Sequence, residues 1–349
     1  MIERPTYDSG AYSFVEPLRG EEIDEIVSDE GATALITNCT ASIKTWQRIN
    51  DRLLARRPGI RIGIGGIYSD QPYDLSCLEQ LSNVRKVSLS SIHHAINVES
   101  VTELPHLEEL TVGIFDLTSF DFLRDVSAGL RGLSLGETNS KRPRLRYLER
   151  FRDLEWVHIE RHKKDIEVLS TLRKLSKVSL RFLSTAGLDY LRPLERLRSL
   201  EVKLGGIRDF SAIEGKESLE YLEIWMIRGL EELSCLARLP GLQYLWLEHQ
   251  KQLKSLPSLK DATALRRAVL IGLPGLKDLH FLEAAPALEE LEFHGDMEPE
   301  GILPALRNPS LRALNAGLGN AKRNRVAKEW IARHGKEPIE GGLCPFVFR

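Results

Sequence analysis

The chain has 349 residues, 42% hydrophobic and 28% charged, the composition of a folded globular protein with a sizeable core. Its 48 Lys and Arg nearly balance 50 Asp and Glu, and a formal charge of -2 leaves no electrostatic footprint for nucleic acid or an anionic membrane. The opening MIERPTYDSGAYSF has no basic start followed by an apolar run, and nothing approaches the roughly 18 apolar residues of a bilayer span.

In chain order, residues 1–31 form an acidic, polar N-terminal segment around a short helix signal, EEIDEIV. ATALITN then reads as a strand, and SIKTWQRINDRLLARR as an amphipathic helix ending near Pro58. IRIGIGG reads as the next strand, with Ile62 and Ile64 as core anchors. From there a frame Leu-x-x-Leu-x-Leu recurs: VRKVSL, LEELTV, LRGLSL, LEWVHI, LSKVSL, LRSLEV, LEYLEI, LQYLWL, LRRAVL, LEELEF and LRALNA. Its last anchors are Leu89, Val112, Leu135, Ile159, Leu180, Val202, Ile224, Leu247, Leu270, Phe293 and Ala316, spaced 21 to 24 residues apart. Near the end, NAKRNRVAKEWIARHG places Val326, Trp330 and Ile331 on one helical face, with Gly335 as a stop. The tail GGLCPFVFR is apolar enough to dock.

One such repeat cannot bury its leucines alone, whereas stacked neighbours share a continuous core. The pattern resembles the leucine-rich-repeat family, and its short repeats are similar to the subclass found in internalins and phosphatase-regulatory proteins. The resemblance implies an α/β repeat solenoid, a horseshoe with a parallel concave β-sheet and short helical or 3-10 convex segments. Return segments such as Ile207, Phe210 and Ile213, or Leu253, Leu256 and Leu259, have the i, i+3 spacing of such turns. Residues 32–318 are then the solenoid with its strand–helix cap, and 319–349 the C-terminal cap and tail. One departure is plain. The family's usual Asn, three residues past the last anchor, is replaced by Ile92, Phe115, Thr138, His162, Leu183, Gly205, Ile227 and Gln250.

Side chains alternate across a strand, so the residues beside each buried anchor belong to the concave face. Before the anchor they run Ser88, Thr111, Ser134, His158, Ser179, Glu201, Glu223, Trp246, Val269, Glu292, Asn315. After it they run Ser90, Gly113, Gly136, Glu160, Arg181, Lys203, Trp225, Glu248, Ile271, His294, Gly317. Both rows are small at the ends and bulky between His158 and His294, and three before the anchor stand Trp156, Lys177, Tyr221 and Tyr244. Tryptophan among charges is the composition of a protein-binding surface. The expected contact residues are Trp156, His158, Glu160, Arg181, Lys203, Tyr221, Glu223, Trp225, Tyr244, Trp246, Glu248 and His294. The competing reading is structural: Tyr221 stacked on Tyr244 across strands, or rings covered by the chain's own ends. Arg161, Lys177, Arg181 and Lys203 precede Glu223, Glu248, Glu290, Glu292 and Asp296, a polarity that would orient a partner.

The best candidate for chemistry is His158, Glu160 and His162, which at i, i+2 and i+4 on a strand would share a face and could hold Zn or Fe. Arg181, the rung neighbour of Glu160, opposes a cation there. Gly63–Gly66 does not open a helix and makes no nucleotide loop, and no triad, P-loop or carboxylate pair stands out. The four cysteines, Cys39, Cys77, Cys235 and Cys344, lack CxxC spacing and read as reduced thiols, with Cys39, Cys77 and Cys235 packed and inert. Asn38-Cys39-Thr40 matches a glycosylation sequon only by chance. The expectation is a cytoplasmic, non-enzymatic protein-binding module that takes no cofactor or metal, nucleic acid or membrane. A neutralising inhibitor or immunity protein, a scaffold, and a metal enzyme at His158, Glu160 and His162 are the alternatives.

Overall fold

A computed structural model describes residues 2–3 and 10–339, and the chain divides into two compact units, Met1–Lys174 and Leu175–Arg349.

In the first unit β1 (Ile2–Glu3) runs antiparallel to β2 (Ala11–Phe14), and the later strands of its main sheet are parallel. After helix α1 (Gly20–Ser28) come β3 (Ala34–Thr37), helix α2 (Ile43–Arg48) and β4 (Arg61–Ile67). A two-stranded side sheet, β5 (Tyr73–Asp74) with β7 (Ala95–Ile96), brackets β6 (Lys86–Ile92). The main sheet continues through β8 (Glu109–Ile114), β9 (Gly132–Leu135) and β10 (Trp156–Glu160). The second unit holds seven parallel strands: β11 (Lys177–Leu183), β12 (Ser199–Gly205), β13 (Tyr221–Trp225), β14 (Tyr244–Glu248), β15 (Arg267–Ile271), β16 (Glu290–His294) and β17 (Ala313–Gly317). Helices α3 (Leu303–Arg307) and α4 (Ala321–Arg333) flank β17.

The repeat frame sets the register. Ile224, Leu247, Leu270 and Phe293 are Cα partners on successive rungs, as are Leu89, Val112, Leu135 and Ile159 in the first unit. All are buried, each contributing roughly 1.5–3 kcal/mol by leaving water. The last anchor, Ala316, keeps register with Phe293 but is only half-buried. Short 3-10 turns close most returns, as at Ser211–Ile213, whose flanking Ile207 and Phe210 are buried. Leu253, Leu256 and Leu259 depart from the expectation: they are buried in an irregular return without a helical turn.

The termini add what the repeat pattern does not show. β2 extends the sheet before β3, burying Tyr12 and Phe14, while Ile23 and Ile26 of α1 pack beneath. Ser42 caps α2, accepting from the Thr45 amide, and the helix runs on as a π-helical turn to Leu54. In α4 the seated residue is Ala327, with Val326, Trp330 and Ile331 half-buried beside it. The expected docking of the tail falls outside the described residues.

A backbone device recurs two residues past the last anchor. Gly66, Ser91, Arg161, Phe182, Leu204, Met226, His249 and Gly272 all have positive φ, from 51° to 72°. Side chains pay a steric cost in this left-handed region, about 1–2 kcal/mol for a non-glycine residue. In β4, β6, β11 and β12 it falls one residue before the strand's end and in β10, β13, β14 and β15 just beyond it, where the amide still pairs onward: Met226 donates to the Glu248 carbonyl at 2.9 Å and His249 to that of Ile271 at 2.8 Å. It also turns the following residue inward, so Ile92, His162, Leu183, Ile227, Gln250 and Leu273 are buried. Where that residue is polar it bonds to the preceding rung. Gln250 donates to the Ile224 carbonyl at 3.1 Å and accepts from the Ile227 amide at 3.2 Å.

Candidate functional site

The second unit carries most of the bulky open-face residues. β13 presents Tyr221, Glu223 and Trp225 as half-buried positions alternating with buried Leu222 and Ile224. On β14 the alternation breaks, because Tyr244 is only 3% exposed. Its rung neighbours are Tyr221 and Arg267, both large. The Tyr221 ring lies 5.3 Å away, the Arg267 guanidinium 5.6 Å over the Tyr244 ring, and Trp246 stacks at 6.4 Å. Strands spaced about 4.8 Å apart cannot hold such groups side by side without covering the one between. Tyr244 is therefore the centre of an aromatic stack, a correction to its expected exposure. Val269 and Glu292, also expected on the open surface, are buried too, Val269 between Trp246 and Glu292 and Glu292 beside His294 and Asn315.

The two indoles differ. Trp246 is half-buried and donates from Nε1 to Glu248 Oε2 at 2.9 Å. Trp225 is half-buried too, and its Nε1 is shielded with no hydrogen-bond partner among the described residues. Such an unsatisfied donor costs about 1–3 kcal/mol.

Polar groups beside them are interlocked. Lys203 bridges Glu201 at 3.0 Å and Glu223 at 2.9 Å, Lys177 reaches Glu201 at 3.2 Å, and the Tyr221 hydroxyl donates to Glu223 at 2.8 Å. Burial by itself would raise the Glu201 carboxyl, but Lys203 and Lys177 outweigh it and hold it below its ordinary 4.5. Burial likewise opposes the Lys203 charge, yet Glu223 and Glu201 raise its pKa. Desolvation and then the Glu223 charge push the Tyr221 phenol upward, keeping it a donor. The expected polarity is thus partly cancelled inside the sheet. Further along, His294 bonds through Nε2 to Glu292, which also accepts from Asn315 at 3.0 Å.

In the first unit Trp156, His158 and Glu160 are half-buried on β10. The Trp156 indole covers Gly132, where an added Cβ would lie 2.1 Å from the ring. His162 leaves this face. The left-handed Arg161 breaks the alternation, so His162 is buried, its Nε2 on the Gly136 carbonyl at 2.9 Å and its ring edge-on to Phe120 at 4.8 Å. The metal trio expected from spacing does not converge. Among the described residues no group of three His, Cys, Asp or Glu side chains could hold a metal ion.

Arg267 and Glu201 are the residues that sequence reasoning passed over. Arg267 stands three before its anchor, in the row that supplies Trp156, Tyr221 and Tyr244, and Glu201 stands in the row just before the anchors with nothing in its identity to set it apart. Arg181, Lys203, Glu223 and Glu248 do reach the open face, and Arg181 lies 5.3 Å over the Phe182 ring.

Comparison with solved structures places this architecture. An internalin (inlF) from Listeria monocytogenes superposes with a TM-score of 0.58 at 17% identity, covering 85% of this chain and 89% of that one. The fold is a leucine-rich-repeat fold. The Toll–Spatzle complex of Drosophila also matches, with a TM-score of 0.51 at 13% identity over 88% of this chain and 46% of that one. No family model matches the sequence, and no curated protein matches it. Among the described residues no helix is long and apolar enough to cross a membrane.

Proposed function

We propose that the chain is a non-enzymatic protein-binding module whose contact surface is the open sheet face. In the second unit that surface is Arg181, Lys203, Tyr221, Glu223, Trp225, Trp246, Glu248 and His294, with Tyr244 beneath as its support. Trp156, His158 and Glu160 are the corresponding contacts of the first unit. The observation that carries this reading is the pair of indoles, Trp225 and Trp246, held half-exposed on a sheet whose opposite face is sealed by leucines. Large amphipathic rings fixed by their neighbours lose little entropy when a partner covers them, the property of binding hot spots. The orphaned Trp225 N–H adds to it, since a stability cost without a structural return suits a site kept for contact.

The test is capture of proteins from the native cell by the wild-type chain and by Trp225→Ala with Trp246→Ala. One protein held near equal stoichiometry and lost by the double variant supports the reading. Undiminished capture contradicts it. If that protein is an enzyme or toxin silenced on binding, the module is a neutralising inhibitor; several weaker partners make it a scaffold.

A further inference from the structure

The loops that follow β9 and β10 in the first unit collect cations. Residues 136–145 carry Lys141, Arg142 and Arg144, and residues 161–165 carry Arg161, Lys163 and Lys164, six against the two carboxylates Glu137 and Asp165. Both carboxylates are already taken. Arg161 Nε sits 2.8 Å from Glu137 Oε1, and Arg144 Nη1 sits 3.1 Å from Asp165 Oδ1. Of the flanking acids, Glu160 belongs to β10 and Glu167 to the 3-10 turn Ile166–Thr171. Lys141, Arg142, Lys163 and Lys164 are exposed, and their side chains have no hydrogen bond or ion pair among the described residues. The loops that carry them are fixed. The Leu145 amide donates to the Lys164 carbonyl at 3.0 Å and the Asn139 amide to the Phe115 carbonyl at 2.6 Å, while Pro143 and Leu145 are buried.

We propose that this loop edge takes an acidic segment of a protein partner, with Lys141, Arg142, Lys163 and Lys164 as its contacts. Four like charges held on adjoining loops repel one another, and a segment rich in carboxylates relieves that repulsion and is steered toward it. The whole chain carries a formal charge of -2, so the attraction is local to this edge and does not extend to the surface at large. Arg144 and Arg161 already pair with carboxylates in the same loops, which shows the contact chemistry in place. Neither loop carries a Phe, Tyr or Trp on which a base could stack, so a peptide fits the edge better than a nucleic acid does. The inference rests on the protein-binding reading only for the source of the segment; the edge's preference is measured without any partner.

The probe is a fluorescein-labelled hexaglutamate peptide, titrated against the full-length chain and followed by anisotropy. The hexaglutamine peptide and an oligothymidylate of equal charge serve as comparisons. The expected result is saturable binding of hexaglutamate, about tenfold or more tighter than either comparison and weakened severalfold between about 50 and about 300 mM salt. Lys141→Glu with Arg142→Glu, and separately Lys163→Glu with Lys164→Glu, should each weaken it about fivefold or more. Lys251→Glu with Lys254→Glu makes the same change of charge on exposed residues of the second unit and should leave the affinity within about twofold. The reversed side chains hold no partner among the described residues, and the two loop pairs are independent variants, so the test survives if one of them misfolds. Absence of saturation, equal affinity for hexaglutamine, tighter binding of the oligothymidylate, or equal losses in the loop and control reversals overturns the proposal. Trp225→Ala with Trp246→Ala should bind hexaglutamate as the wild type does, so the two readings fail separately.

Discussion

The ring of Tyr244 lies 5.3 Å from that of Tyr221 on the preceding rung, tilted by 30°, and only Tyr221 remains half-exposed. Tyr244 is thus a core residue on the face opposite the leucines. Tyr244→Ala should destabilise the chain by about 3 kcal/mol through the cavity it leaves, whereas Trp246→Ala should cost about 1 kcal/mol. Urea denaturation of the two single variants measures the difference; equal losses would show that both rings serve the same structural purpose.

The recurring left-handed position two residues past the anchor predicts an unusual tolerance. Met226, at φ 51° and 43% exposed, should accept glycine with a stability change near zero or a gain of up to about 1 kcal/mol, because relieved strain offsets the added freedom of the unfolded chain. Gly272→Ala should do the opposite, since its φ is +64° and a Cβ would meet the His249 ring at 2.3 Å. A loss of about 1–2 kcal/mol is expected. Thermal melts of both variants decide the matter.

His162 makes stability depend on pH. Burial lowers its pKa from the ordinary 6.5, so the unfolded chain takes up the proton first. Its contribution is complete above 6.5 and is lost as pH falls from there toward the depressed folded value. His162→Gln, which copies the residue at position 250, should keep a bond to the Gly136 carbonyl and flatten the slope. Urea midpoints between about pH 7.5 and 5.5 test this; an unchanged slope would remove His162 as the cause.

Glu201 acts at lower pH. Because Lys203 and Lys177 hold its folded pKa below 4.5, its stabilisation is present above that value and disappears as pH falls through the depressed one. Glu201→Gln should lower stability at neutral pH and make the acid limb shallower. A variant as stable as wild type at neutral pH would show that the lysines gain nothing from it.

The cysteines offer a test of packing. Burial pushes the Cys77 and Cys235 thiols up to about 12, so neither should be carbamidomethylated by iodoacetamide near pH 8 in the folded chain, though both should react in urea. Labelling followed by mass spectrometry reads this site by site.

The anchors were legible because burial on one face forces apolar residues into a fixed frame, and Leu-x-x-Leu-x-Leu repeats it from Leu89 onward. β2 was not, because Ala11–Phe14 carries no leucine frame and its place comes from pairing with β3. Tyr244 could be assigned to a face but not to a depth, since its burial depends on Tyr221 and Arg267, each more than twenty residues away in the sequence. Phe182, Leu204 and Met226 are not turn formers, so nothing in their identity announced left-handed backbone; their shared place two residues past the anchor goes with it. That same turn removed His162 from the face of His158 and Glu160. The rows of Trp225 and Trp246 were readable from alternation alone.

Trp225→Ala with Trp246→Ala separates contact from packing when partner capture from the native cell and the melting temperature are read on the same preparation. Capture should weaken at least about a hundredfold with melting nearly unchanged. A double variant that unfolds readily yet still captures its partner would show the indoles to be structural and the contact surface to lie elsewhere.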